Sequence, residues 1–396
     1  MDANQARELV GANLPPDFTT GLLAELVRIP TPQTARFEAE PLIQEFVRDW
    51  ARPRLSALGL GTPRLDRMGS LLLTVGPPDG DPGLLLVSYA MVPQPGAMAD
   101  PYSAAIVDGA SYGLEGPCLW GRGAAEQKGP MAAMWSVLEA VRRSGVRLRR
   151  PLHFAISTAG ETGRHDAVRT MMEELGPSAR WGIVGLGQGN RICLANKGRL
   201  DVEVVVRGRA AHSSTPWEGA NAIDGMRRVM DRLDGFRVSE HPRLGPATLT
   251  KVRLVSEPDA THTVQGECRL VLDRRLLPGD DPEGALAELR SLVGTLAGFA
   301  VEVLPGPLMY PSEIGEDSEL VVALQAAAGA VAGRRLGTVI SHSCLDAGYL
   351  NRRGIETVMF GPGEPRFVHT VQEVVRLAEV HEAADILSHL ALTLLA

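Results

Sequence analysis

Residues 129–145 read GPMAAMWSVLEAVRRSG and stand between two short apolar runs, LLLVS at 84–88 and LHFAIST at 152–158. Pro130 at the first turn, Arg142 and Arg143 in the last, and Gly145 just beyond are the start and stop signals of a helix. Strand, helix and strand in that order make one βαβ crossover, the building unit of a parallel sheet. Further apolar runs at 183–185 and 357–360 supply more strands. The expectation is an α/β fold with a mostly parallel sheet and helices on both faces.

Between residues 200 and 304 the pattern changes. A strand (DVEVVVRG) is followed by a helix over 221–233, two strands (ATLTKVRLV and ECRLVLDRR), a helix within DPEGALAELRSLVGTLAG, and a last strand (AVEVL). This βαββαβ order describes a small split-βαβ sandwich inserted into a larger domain. Residues 1–199 and 305–396 are therefore expected to form a discontinuous catalytic-type α/β domain, and 200–304 an inserted lid or dimerisation domain. A chain of 396 residues also exceeds what one hydrophobic core usually organises.

Forty basic against 47 acidic residues leave a net charge of −7, so no summed field draws the chain to nucleic acid or to an anionic membrane. Cys118, Cys193, Cys268 and Cys344 lie far apart with no CxxC pair, and read as buried small hydrophobes rather than a disulfide framework or thiolate metal site. The first residues, MDANQARELVGANLPP, lack the apolar core of a secretory signal, which points to the cytoplasm. The Ala-rich stretch 320–332, with Gln325 inside it, reads as a packed helix too short to span a bilayer.

Open α/β sheets place their chemistry just beyond the carboxyl ends of the strands. Those places hold Tyr89-Ala90-Met91, LWGRGAAEQKG (119–129), AGETG (159–163), Leu186, Gly361-Pro362-Gly363 and His369. In this order, around an inserted lid, they resemble the co-catalytic zinc metallopeptidases and amidohydrolases that include glutamate carboxypeptidase, acetylornithine deacetylase, succinyl-diaminopimelate desuccinylase and aminoacylase. The resemblance spans nearly the whole chain. GRGAAEQKG is similar to the family's GRGxxDxKG, AHSSTPWEGANAI (211–223) to its aHSSxPxxGxNAi, and Asp273-Arg274-Arg275 to its DxR.

In that family a carboxylate bridges two zinc ions, and a neighbouring Glu activates water. Here the HxD motif reads Tyr89-Ala90-Met91, the later acidic ligand is Leu186, and the family's EE pair reads Gly160-Glu161. The resemblance thus implies loss of one metal position, its orienting Asp and the general base. The remaining ligands are Glu126, Glu161 and His369, which suit at most one zinc ion. A dinuclear site is not expected. The resemblance assigns substrate contacts to Arg275, to His212 and Asn221 across a dimer interface, to Gly361, and to His262, which stands where the family has Asn.

The chemistry expected is that of an enzyme acting on an amino-acid-derived carboxylate by non-hydrolytic acid–base steps such as cyclisation, isomerisation, or amide formation or transfer. Tyr89, Glu126, Glu161 and His369 would carry it, as a homodimer, with no metal or a single zinc. The alternatives are a mononuclear zinc amidohydrolase or peptidase, and a non-catalytic small-molecule binding protein. Plainer readings stand beside these. Glu126 and Glu161 suit ion-paired carboxylates, His369 a capping histidine and Tyr89 a packing aromatic, and Arg275 suits pairing with Asp273 or Asp280. His342, Cys344 and Asp346 resemble a family loop near the active site, and spacing alone assigns them no role. His153, His165, His241, His381 and His389 read as structural or exposed.

Overall fold

Four parallel strands run side by side in the order Leu152–Ser157, Gly83–Tyr89, Ala179–Gly185 and Glu356–Phe360. Every residue of Gly83–Tyr89 is buried, as expected of a continuous apolar run covered on both faces. Leu71–Val75 joins one side and Ile192–Asn196 the other, both antiparallel. The register pairs Tyr89 with Ser157, and Phe360 with Gly185. The segments that follow these strands therefore emerge along one edge of the sheet.

The computed structural model describes every residue except Glu161 and Thr162. The chain forms two compact units. One comprises Met1–Ala195, Glu313–Ile340 and Tyr349–Ala396, the other Asn196–Ser312 and Ser341–Gly348. In the first unit the helix Gly129–Ser144 begins with Pro130 and stops at Gly145, whose φ of +63° is left-handed and favours glycine. This helix is buried almost throughout and packs against Leu377–Leu395. The Ala-rich stretch forms the helix Glu319–Ala332. No helix among the described residues is long and apolar enough to cross a membrane.

The second unit is an antiparallel sheet in the order Thr248–Glu257, Glu267–Leu276, Gly198–Arg207, Ala300–Met309. The helices Ala222–Leu233 and Pro282–Val293 cover one face, around Val202, Val204, Val206, Leu270, Leu272, Met226 and Leu289. The second helix ends earlier than the apolar pattern through 298 suggests, because Gly294 adopts a φ of +58°. The last strand runs past AVEVL to Met309, with a register shift between Pro305 and Leu308. Three of the cysteines are buried, but Cys344 is only partly so, because it lies in a loop rather than in a strand.

Candidate active site

After the strand Pro117–Trp120 the chain turns sharply. Gly123 has a φ of +82°, and a Cβ there would lie 2.3 Å from a methyl of Val92, so only glycine fits. A wide helical turn, Ala124–Lys128, then leads into the long helix and carries Glu126, which is 6% exposed. The open end of this turn is closed by Glu373. The amides of Gly123 and Ala125 donate to its two oxygens at 2.9 and 3.1 Å, and Arg122 Nη1 donates at 2.7 Å. Arg122 Nη2 also reaches the carbonyl of Thr370 at 2.8 Å.

Both members of this ion pair are fully buried. Burial pushes the Glu373 carboxyl upward, while the amides and the guanidinium oppose the rise. The pair ties residues 370–373 to the Glu126 turn and so brings in His369. Its Nε2 lies 3.2 Å from Glu126 Oε1 and 3.1 Å from Oε2. His369 has a φ of +61°, a conformation that costs a residue with a side chain about 1–2 kcal/mol. Such strain, held in place by surrounding bonds, clusters at functional sites.

Lys128, also in the turn, is buried and donates to the carbonyl of Ala90 at 3.3 Å, with its ammonium 4.1 Å from the centre of the Phe46 ring. Burial lowers it to about 7. Arg122 and Lys128 lie inside GRGAAEQKG, yet sequence reasoning singled out neither, and Glu373 carried no signal at all. Their partners are set by the fold rather than by local spacing.

Around this pair the positions that resemble a first metal site are apolar and packed. Tyr89 is 0% exposed, Met91 1% and Leu186 8%. The Leu186 segment is laced down by backbone bonds from Gly187 to the carbonyl of Glu126 (3.0 Å) and from Gln188 and Asn190 to that of Gly361 (3.1 and 3.0 Å). Gly160 and Tyr89 interlock: a Cβ on residue 160 would lie 2.1 Å from Tyr89 Cδ1 and 2.4 Å from Cε1. The ring fills the space that a side chain at 160 would need. Glu161, the other expected acid, lies outside the described residues.

The donors decide what metal chemistry fits. Leu186 has no lone pair, and the Tyr89 ring is packed against Gly160, so this residue set does not suit two ions. Glu126 and His369, with Glu161 as a third donor, are the carboxylate and imidazole types that hold one zinc ion. Among the described residues no three His, Cys, Asp or Glu side chains are placed so as to hold a metal ion together.

The other expected residues sit as follows. Gly361 is buried, and a Cβ there would lie 2.8 Å from both the carbonyl of Leu186 and Pro130, so close approach of the protein's own backbone accounts for the glycine. In the second unit, His212 and His262 lie on neighbouring backbone, with ring centres 6.1 Å apart. His212 Nδ1 is 2.8 Å from Ser214 Oγ. Asn221 caps the helix Ala222–Leu233, its Oδ1 accepting from the amide of Ile223 at 3.1 Å. Arg275 pairs with Asp273 through two bonds of 2.8 and 3.1 Å. Asp280 faces Arg274 instead. Burial raises the Cys344 thiol, which opposes a thiolate role.

The family model described as Peptidase family M20/M25/M40 matches residues 90–393. An acetylornithine deacetylase of Myxococcus xanthus is 28% identical over 388 residues, covering 94% of this chain and 97% of the relative. A succinyl-diaminopimelate desuccinylase of Alkalilimnicola ehrlichii is 27% identical over 279 residues, covering 67% and 73%. Among solved structures, a tripeptidase from Staphylococcus aureus superposes with a TM-score of 0.73 at 20% identity, covering 96% of this chain and 99% of the other.

Proposed function

Because the chain belongs to peptidase family M20/M25/M40, whose members include the deacetylase and desuccinylase relatives, we propose that it hydrolyses an amide bond in a small, N-acylated, amino-acid-derived substrate. The relatives' names are those of hydrolases and lend no support to the non-hydrolytic chemistry expected above, so hydrolysis takes first place. The observation that carries this reading is the Glu126–His369 pair on a backbone conformation held against its own strain. Glu126 takes the proton of the attacking water and returns it to the leaving amine, with His369 orienting its carboxylate. Glu126, His369 and Glu161 would hold at most one zinc ion, in place of the Glu126–His369 hydrogen bond, and it would supply a Lewis acid for the scissile carbonyl.

Replacing the base is expected to lower turnover about 10²–10⁴-fold. The test combines hydrolysis of N-acetyl and N-succinyl amino acids with a metal count on the same protein. Turnover that falls in Glu126→Gln and His369→Ala, with at most one zinc per chain, is the expected result. Two zinc ions per chain, or no hydrolysis of any such amide, overturns it.

Arg275, His212, Asn221 and His262 on the inserted unit contact the substrate, and the protein works as a cytoplasmic homodimer without nucleic-acid or membrane partners. Support for the dimer comes from the edge strand Thr248–Glu257, which exposes Val252, Leu254 and Val255. A monomer by light scattering at micromolar concentration contradicts it.

A further inference from the structure

Along the strand Glu267–Leu276 every second side chain faces the covering helices. Cys268, Leu270, Leu272 and Leu276 fill that row with apolar groups, and the same alternation places Arg274 among them, 3% exposed. A guanidinium in an apolar row is costly unless its donors find partners. Those of Arg274 find few. Nη1 lies against the carbonyl of Arg275, Nη2 is 3.8 Å from Asp280, and the Phe236 ring centre is 4.8 Å from the guanidinium carbon. Its Nε is buried with no hydrogen-bond partner. Burial lowers this guanidinium from its usual range, with Asp280 and Glu288 opposing.

Arg274 borders a cavity of about 290 Å³ that Arg237, Ser239, Asp280, Asp281 and Glu288 also line. Arg237 and Glu288 are exposed at its rim. Two guanidiniums and three carboxylates disfavour the simplest occupants. An inorganic dianion meets a lining with an excess of acids, and a plain cation meets the buried Arg274. A molecule with a carboxylate and an ammonium a few ångströms apart answers both charges at once.

We propose that this cavity binds a free α-amino acid, with its carboxylate on the guanidinium edge that Arg274 presents to the cavity and on Arg237, and its ammonium facing Glu288 and Asp280. The site lies within the inserted unit, and the proposal stands whether or not the hydrolytic reading does. Neither ion alone is expected to bind as well, because each leaves one half of the lining unanswered.

The experiment is equilibrium dialysis of the full chain against radiolabelled L-alanine, with propionate and ethylamine as competitors that each lack one charge. The expected result is saturable binding of about one L-alanine per chain, weakened about tenfold or more in Arg237→Gln and Glu288→Gln. Equal competition by propionate or ethylamine alone overturns the zwitterion assignment. Arg274→Met, which restores an apolar row, should abolish binding, and the two exposed rim variants keep the test decisive if that core variant fails to fold. Glu126→Gln should bind L-alanine as the parent does. Absence of saturable binding, or binding lost in Glu126→Gln but kept in both rim variants, overturns the proposal.

Discussion

Adding a side chain at residue 160 tests whether the losses around the active site are one packing event. In Gly160→Ala the new Cβ would sit 2.1 Å from Tyr89 Cδ1 and 2.4 Å from Cε1, whereas carbon atoms settle at about 3.5–4.0 Å. The ring must move by more than an ångström. It is fully buried at the end of a strand paired on both sides, so that movement disturbs well-packed neighbours. Overpacking of this kind costs about 1–3 kcal/mol. Truncating the ring in Tyr89→Ala removes a buried aromatic and should cost about 3–5 kcal/mol. In the double variant the clash has gone, and the added methyl occupies part of the vacated space. The double should therefore lose less than the sum of the singles, by about 1–3 kcal/mol. Urea denaturation of the four proteins, followed by a probe in the first unit, reads this coupling directly. Additivity within about 0.5 kcal/mol would refute the interlock.

His369→Gly removes the side chain from a φ of +61° and should leave stability unchanged or raised by about 1 kcal/mol, while activity falls at least about 10²-fold. A loss above about 2 kcal/mol in denaturation midpoints would show that the backbone there is not strained. Glu373→Gln strands the buried Arg122 without a counter-charge and should destabilise the protein by about 3–5 kcal/mol; an unchanged melting temperature would contradict the pinning role. Burial raises Asp66 from 3.8 to about 6, against the pull of the Ser70 and Met68 amides, so the folded state holds this proton while the unfolded chain releases it. Stability therefore falls as pH rises from about 4 to 6, by up to about 3 kcal/mol. Asp66→Asn should match the parent near pH 4 and exceed it at pH 7, and an advantage that does not grow between those values refutes the assignment.

The elements that could be read from the chain were those coded by neighbours in sequence. The helix over 129–144 shows its Pro130 and Gly145 punctuation, and the strands Gly83–Tyr89 and Leu152–Ser157 their unbroken apolar runs. Strand ends in a parallel sheet then place Tyr89, Leu186 and Gly361 along one edge. What stayed hidden depends on distant partners or on the choice of face. Arg122 and Glu373 meet across 251 positions. Arg274 and Arg275 are adjacent in DRR, yet alternation buries the first and leaves the second on the opposite face with Asp273.

The same distinction bears on the positions where the resemblance expects metal donors. Read singly, Tyr89, Met91, Gly160 and Leu186 look like four independent losses, as in a site decaying without use. Decay of that kind should leave polar remnants and voids, because each large-to-small or polar-to-apolar change acts alone. Instead Tyr89, Met91 and Leu186 are almost wholly buried, and the bare backbone of Gly160 leaves room for the Tyr89 ring. Any side chain at 160 would meet the Tyr89 ring, so the two positions are packed as one unit. The Glu126–His369 pair beside them keeps a strained backbone that repacking would have relaxed for about 1 kcal/mol had the pair carried no function. A centre packed on one side and held under strain on the other is what the proposed site, with its reduced donor set, requires.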